Sequence, residues 1–170
     1  VLGGLCILRG CMPSKTLIYV AEILYHARHG KTFGLDIPQA APDMAAVQAR
    51  KRRIIAGFSD YRTQQLESAR FHLYQNTASV VDARTIRLDH ATELTADGFR
   101  VSTGSAITYP PVPGLEAVCA MTSDQVLDLN NLPDSAIVLG GGTVACELAQ
   151  FLQRMGTRVV QIQRSATILK

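Results

Sequence analysis

Apolar residues recur at two periods along this chain, and the change of period is the first sign of its organisation. Leu17, Ile18, Ala21, Leu24 and Tyr25 repeat at the spacing of one helix face. Pro13 suits the first turn of that helix, and Gly30 marks its end. After a loop containing Gly34, Pro38 and Pro42, Asp43 is placed to cap a second helix over about 44–69. Its expected buried positions are Val47, Ile54, Phe58, Tyr61 and Leu66. From 71 to 103 the period shortens to that of strands, with candidates at 71–74, 79–83, 85–88 and 99–103. Pro110-Pro111-Val112-Pro113-Gly114 fits neither period and reads as a linker. Beyond it come a strand at 136–139, three glycines, and a helix at 143–155 with Val144, Leu148, Phe151 and Met155 on one face. Gly156 and a strand at 158–163 follow, so the order is the start of a βαβ unit.

Of the 170 residues, 47% are hydrophobic and 18% charged, which excludes a disordered or collagen-like chain. With 5 Phe, 5 Tyr and no Trp, aliphatic residues must fill most of the core. A net charge of +3 gives no reason to expect a nucleic-acid partner. The basic run Arg50-Lys51-Arg52-Arg53 reads as a solvated stretch of helix, because consecutive residues point about 100° apart and form no single stripe. No apolar run approaches the roughly 18 residues of a membrane span, so no membrane partner is expected. The start does not read as a signal peptide either.

Gly140-Gly141-Gly142-Thr143-Val144-Ala145 fits G-x-G-x-x-A between an apolar strand and an amphipathic helix. In that setting Gly140 permits the tight turn and Gly142 lets backbone approach a pyrophosphate. A small Ala145 allows close helix–strand packing, and the helix N-terminus receives the negative charge. An acidic residue about 20 positions on would accept from an NAD ribose. Gln163 stands there instead, followed by Arg164, with Lys170 six residues further. A guanidinium pairs with a 2′-phosphate, so NADPH is expected in preference to NADH. A glycine turn without a ligand is the plainer alternative.

Four cysteines are too few for a disulfide scaffold. Cys119 and Cys146, alone among apolar neighbours, read as small buried hydrophobes. Cys6 and Cys11 differ, with four residues between them immediately before a helix N-terminus, where dipole and free N–H groups favour thiolate. A zinc site fails for want of further ligands. A structural role for the two thiols stays open on spacing alone.

The run Gly3-Gly4-Leu5-Cys6 through Cys11-Met12-Pro13-Ser14-Lys15 resembles the G-G-x-C-x-x-x-x-C-x-P-[SK]-K hallmark of the class I pyridine nucleotide–disulfide oxidoreductases. These flavoproteins include dihydrolipoamide dehydrogenase, glutathione reductase and mercuric reductase. Ser102-Thr103-Gly104-Ser105, the stretch 111–116, Thr122-Ser123-Asp124, Asn131-Leu132-Pro133 and the stretch 140–149 match further segments in the family's order. Leu8-Arg9-Gly10 is similar to some glutathione reductases, whereas Pro13-Ser14-Lys15 is similar to the lipoamide and mercuric branches.

The resemblance implies an α/β, Rossmann-like FAD/NAD(P)-binding fold with parts of two nucleotide-binding domains, 1–109 for FAD and 110–170 for NAD(P). Cys11 would face the flavin and Cys6 would exchange with the substrate disulfide. Lys15 would lie beside the flavin and pair with Glu147, since a buried ammonium needs a counter-charge. Gly3, Gly4, Thr103 and Gly104 would approach FAD, while Gly140, Gly142, Ala145, Arg164 and Lys170 would hold NADP or NAD. Electrons would pass from NAD(P)H through flavin to a Cys6–Cys11 disulfide, then to a small-molecule or protein disulfide or another thiol-reactive acceptor. A cytoplasmic homodimer is implied, with a His–Glu acid/base pair outside this sequence. None of His26, His29, His72 or His90 matches that context. The chain is therefore expected to be an internal fragment that turns over little by itself. The competing readings are a non-catalytic nucleotide-binding module with structural cysteines, and a nucleic-acid-binding domain using the basic helix.

Overall fold

The computed structural model describes residues 2–68, 70–89 and 91–169. Lys170, His90 and the expected helix end at 69 lie outside the described residues. A short helix α1 (Gly4–Leu8) leads directly into α2 (Cys11–Arg28), whose Leu17, Ala21 and Leu24 face the core. A 3₁₀ turn at Gly30–Phe33 ends that run. The Asp43 carboxylate accepts from the Ala46 N–H at 3.1 Å and so caps α3 (Met44–Leu66), as its residue type predicts.

The buried face of α3 is not the one its apolar spacing suggests. Val47 is buried as expected, but beside it lie Gln48, Lys51 and Ser59, while Phe58 and Tyr61 are exposed and Ile54 and Leu66 half-buried. The reason is polar. Backbone carbonyls at the end of a neighbouring helix need donors, and Gln48 and Lys51 supply them. Satisfying those carbonyls rotates the 54/58/61 stripe toward solvent. The basic run is correspondingly not all solvated, since Lys51 is only 4% exposed.

An antiparallel sheet of β1 (Ala78–Asp82), β2 (Thr85–Leu88) and β3 (Thr92–Thr95) follows. Its first two strands fall within one residue of the expected ones. The third was not legible, because Thr-Glu-Leu-Thr has one apolar residue and no alternation. Pairing makes it a strand: Ile86 opposes Leu94, and Arg87 on β2 meets Glu93 at 2.7 Å. The expected strands at 71–74 and 99–103 do not form among the described residues, as neither finds a partner ladder.

After a 3₁₀ turn at Leu115–Val118 and the five-residue α4 (Ser123–Leu127), the chain builds β4 (Ser135–Leu139), α5 (Thr143–Met155) and β5 (Arg158–Ile162). The two strands run parallel with Ser135 beside Arg158 and Leu139 beside Ile162, which is the predicted βαβ crossover. On α5, Leu148, Ala149, Phe151, Leu152 and Met155 are buried, whereas Val144, expected on that face, is exposed at the helix start. Phe151 has no exposed surface; burying it stabilises by about 3 kcal/mol. One apolar cluster joins Leu17, Ala21 and Leu24 of α2, Val47 of α3, Leu127 of α4 and the buried face of α5. The core therefore draws on both sides of the proline-rich stretch at 110–114.

Candidate functional site

The two candidate thiols sit where α1 hands over to α2. Cys6 is inside α1 and Cys11 is the first residue of α2. Gly10 between them is a close-approach position: a Cβ there would lie 3.0 Å from the Leu5 carbonyl oxygen and 3.2 Å from Cys6 Cα. Any side chain would push the helices apart. Spacing alone did not single out Gly10, because its role comes from the packing of α1 against its own exit.

Both cysteines are exposed free thiols. The Cys11 side chain, hydrogen-bonded to Cys6, pushes the Cys6 thiol above its ordinary value, and slight burial and the nearness of Cys11 add to the rise. The backbone N–H of Cys11 acts the other way but less strongly. This corrects the expectation that the helix N-terminus favours thiolate at both positions. Cys6 lies within α1 rather than at the start of α2, so its nearest influence is the other thiol.

One turn beyond Cys11, Lys15 Nζ pairs with Glu147 Oε1 of α5. Ser14 Oγ lies 3.2 Å from the Cys11 carbonyl oxygen and 3.4 Å from Glu147 Oε2, so a carboxylate on α5 is held by two consecutive residues of α2. The expected pairing of Lys15 with Glu147 is thus present, but the ammonium is not buried: the Lys15 side chain is 57% exposed. The reason is geometric: Pro13 and Ser14 on the same turn take the buried side of α2, which leaves Lys15 on the exposed side.

Gly140, Gly142 and Ala145 form the turn from β4 into α5. Gly140 has φ 122°, which only glycine adopts without strain, and donates its N–H to the Ile162 carbonyl at 2.8 Å. A Cβ on Gly140 would already touch Ala145 Cβ at 3.7 Å, which explains the small residue there. Gly142 is the N-cap of α5 and brings no capping side chain, so the first N–H groups of the helix have none. Such an end suits a phosphate. Gly141, the unspecified middle position of the motif, proves the most crowded: a Cβ there would overlap the Gln163 side chain. The segment after β5 folds back on this turn. Leu169 N–H donates to Gly141 O at 2.8 Å, and the Gln163 amide donates to the carbonyls of Ser165, at 2.6 Å, and Thr167. Arg164 is exposed in the same bend.

Thr103 and Gly104 come close to Gly4. With Leu5, Leu8, Arg9, Ser102 and Ser105 they line a cavity of about 280 Å³. Gly3 adjoins it at the start of α1. Two cysteine expectations part company: Cys146 is half-buried, with its thiol 3.6 Å from the Gly141 carbonyl, whereas Cys119 is exposed at φ 48°. Cys119 follows a single 3₁₀ turn that packs into no core, so its apolar sequence neighbours gave it no cover. Among the described residues no helix is long and apolar enough to cross a membrane, and no group of three His, Cys, Asp or Glu could hold a metal ion.

A family model described as pyridine nucleotide-disulphide oxidoreductase matches residues 1–170. A mercuric reductase from Staphylococcus aureus is 32% identical over 169 residues, covering 99% of this chain and 31% of that protein. A dihydrolipoyl dehydrogenase from Bacillus subtilis is 26% identical over 99% of this chain and 38% of its own length. A glutathione reductase from Burkholderia cepacia is 28% identical, over 99% and 37%. The chain thus spans about a third of the length of the curated relatives it matches. Among solved structures, the copper(II) complex of the HOCl-induced flavoprotein disulfide reductase RclA from Escherichia coli superposes with a TM-score of 0.76. That match has 22% identity and covers 96% of this chain and 34% of that one.

Proposed function

The chain belongs to the pyridine nucleotide-disulphide oxidoreductase family, and on that premise we propose that it is the thiol-bearing part of a flavin-dependent NAD(P)H:disulfide oxidoreductase. The observation that carries this reading is the juxtaposition of the facing thiols Cys6 and Cys11 with the Lys15–Glu147 pair, which ties them to the helix of the glycine turn. In this reading residues 1–109 belong to an FAD-binding domain and 110–170 begin an NAD(P)-binding one.

The residues present fit both nucleotides. Gly4 and Gly104 line one cavity with no atom within reach of a Cβ at either position, so backbone is open to a ligand there. FAD held by Gly3, Gly4, Lys15, Thr103 and Gly104 would supply two-electron transfer between nicotinamide and thiols. The α5 end, with Gly140, Gly142 and Ala145, would hold the pyrophosphate, and Arg164 with Lys170 would favour NADP over NAD. Glu147 neutralises Lys15 and fixes its position. Cys11, one helical turn from Lys15 on α2, is the thiol that by the family resemblance would face the flavin.

Cys6 is the exchanging thiol. Its thiolate attacks one sulfur of an acceptor disulfide, expelling the other sulfur as a thiol after protonation. Cys11 then attacks the Cys6 sulfur of the mixed disulfide, releases the second thiol and leaves a Cys6–Cys11 disulfide. Because Cys11 holds the Cys6 proton more tightly, the first step needs a base. The resemblance assigns that base to a His–Glu pair, contributed across a homodimer in the cytoplasm. A small-molecule or protein disulfide, or another thiol-reactive acceptor, is the proposed partner, and the 170-residue chain alone would turn over little.

The test is spectroscopic. The intact protein that carries this chain should purify yellow and gain a long-wavelength charge-transfer band on two-electron reduction. Cys11→Ser should abolish that band and Cys6→Ser should keep it. A colourless protein, or a band indifferent to Cys11→Ser, leaves a nucleotide-binding module with structural cysteines as the better reading.

A further inference from the structure

The loop between the thiols is held from the side by a helix to which the proposed reaction gives no role. Arg9, lying between Cys6 and Cys11 in sequence, places Nη1 3.2 Å from Asp124 Oδ2 in the first turn of α4. The start of α4 is closed by reciprocal hydrogen bonds between Thr122 and Gln125. Its far end is anchored in the core. Leu127 is buried, and its carbonyl accepts from Gln48 Nε2 at 3.1 Å and Lys51 Nζ at 2.6 Å. Gln48 reaches the Leu129 carbonyl as well, at 2.8 Å, and Lys51 also pairs with Asp128. Helix α4 is thus a strut fixed to α3 by a buried polar cluster and joined to the thiol loop by one ion pair.

Closing a disulfide removes the freedom of the loop it spans, and a loop already fixed as the dithiol has less to lose. Both thiols are free in this structure, and the Arg9–Asp124 pair is nonetheless in place. We propose that Asp124 is a positioning residue for the thiol pair: by holding Arg9 against α4 it preorganises the Cys6–Cys11 loop in the dithiol state and stabilises the disulfide. This rests on the reading of Cys6 and Cys11 as a redox pair. The equilibrium concerned is protein dithiol plus oxidised glutathione giving protein disulfide plus two reduced glutathione. The glutathione S–S bond breaks, the Cys6–Cys11 bond forms, and two electrons and two protons pass from the protein thiols to the glutathione sulfurs.

The experiment equilibrates the intact protein without oxygen in glutathione buffers and reads the oxidised fraction by alkylation and mass. Asp124→Asn, Arg9→Met and the double variant are compared with wild type, with unfolding temperature measured alongside. Each single variant should lower the equilibrium constant for disulfide formation about fivefold, on the scale of a half-exposed ion pair. That is a potential about 20 mV less negative, at roughly 30 mV per tenfold for two electrons. The double variant should shift no further than either single one, and Arg9→Lys should recover part of the effect. Shifts of opposite sign would overturn the proposal, since a direct charge effect on the thiols must reverse between removing an anion and removing a cation. A lowered unfolding temperature with an unchanged potential would overturn it equally. If wild type forms no Cys6–Cys11 disulfide in any buffer, it is the reading of the pair that fails, and the strut has nothing to position.

Discussion

Gly10 and Cys11 together determine the chemistry of Cys6. The hydrogen bond that the Cys6 thiol donates to Cys11 favours the protonated form of Cys6 and raises its pKa, so removing it must lower that pKa. In Cys11→Ala the pH at which Cys6 reaches half its maximal rate with iodoacetamide should therefore fall. Gly10→Ala should move it the same way but less, because a Cβ 3.0 Å from the Leu5 carbonyl must separate α1 from α2, at a cost of about 1–3 kcal/mol in stability. A profile unmoved in both variants would mean that the thiols do not interact. At the other end of the chain, Arg164→Ala should raise KM for NADPH about tenfold or more and leave KM for NADH nearly unchanged, which is the scale of a lost charge-assisted hydrogen bond. Equal effects on both nucleotides would remove Arg164 from the 2′-phosphate.

Among the elements, α3 reverses the usual ranking of side chains. Its Lys51 is 4% exposed and serves the end of α4, while Phe58 is 41% exposed. Lys51→Met keeps the aliphatic stem but withdraws a charged donor from the Leu127 carbonyl and from Asp128, and should cost about 1–3 kcal/mol. Phe58→Ser should change stability by about 0.5 kcal/mol or less. Thermal or urea unfolding reads both, and the opposite order would show that the apolar stripe is the packed face. Periodicity located α2, α3, α5 and the strand pair β4–β5 because each one's character lies within its own sequence. It failed for the face of α3, for β3 and for the unformed strands at 71–74 and 99–103. In each of those cases a partner from elsewhere in the chain, or the lack of one, decides the outcome.

For the whole molecule, the same division holds between what a local motif announces and what only packing reveals. The glycine turn, the thiol pair and the Lys15–Glu147 pairing were legible as ordered motifs, and the structure brings their residues onto adjoining elements α1, α2 and α5. Gly10, Gly141, Ser14 and the Arg9–Asp124 strut were not, because each acts through a contact with a residue that no spacing rule connects to it. The shared core of α2, α3, α4 and α5 packs the thiol end and the helix of the glycine turn into one cluster. That packing gives the central claim its simplest test, which is to follow Cys6, Cys11, Cys119 and Cys146 in the intact protein by alkylation and mass before and after one equivalent of NADPH without oxygen. If the chain carries a redox pair fed by reduced nicotinamide, Cys6 and Cys11 resist labelling at first and both take label after reduction, while Cys119 and Cys146 label to the same extent in both samples. Equal labelling of Cys6 and Cys11 before and after NADPH would contradict it.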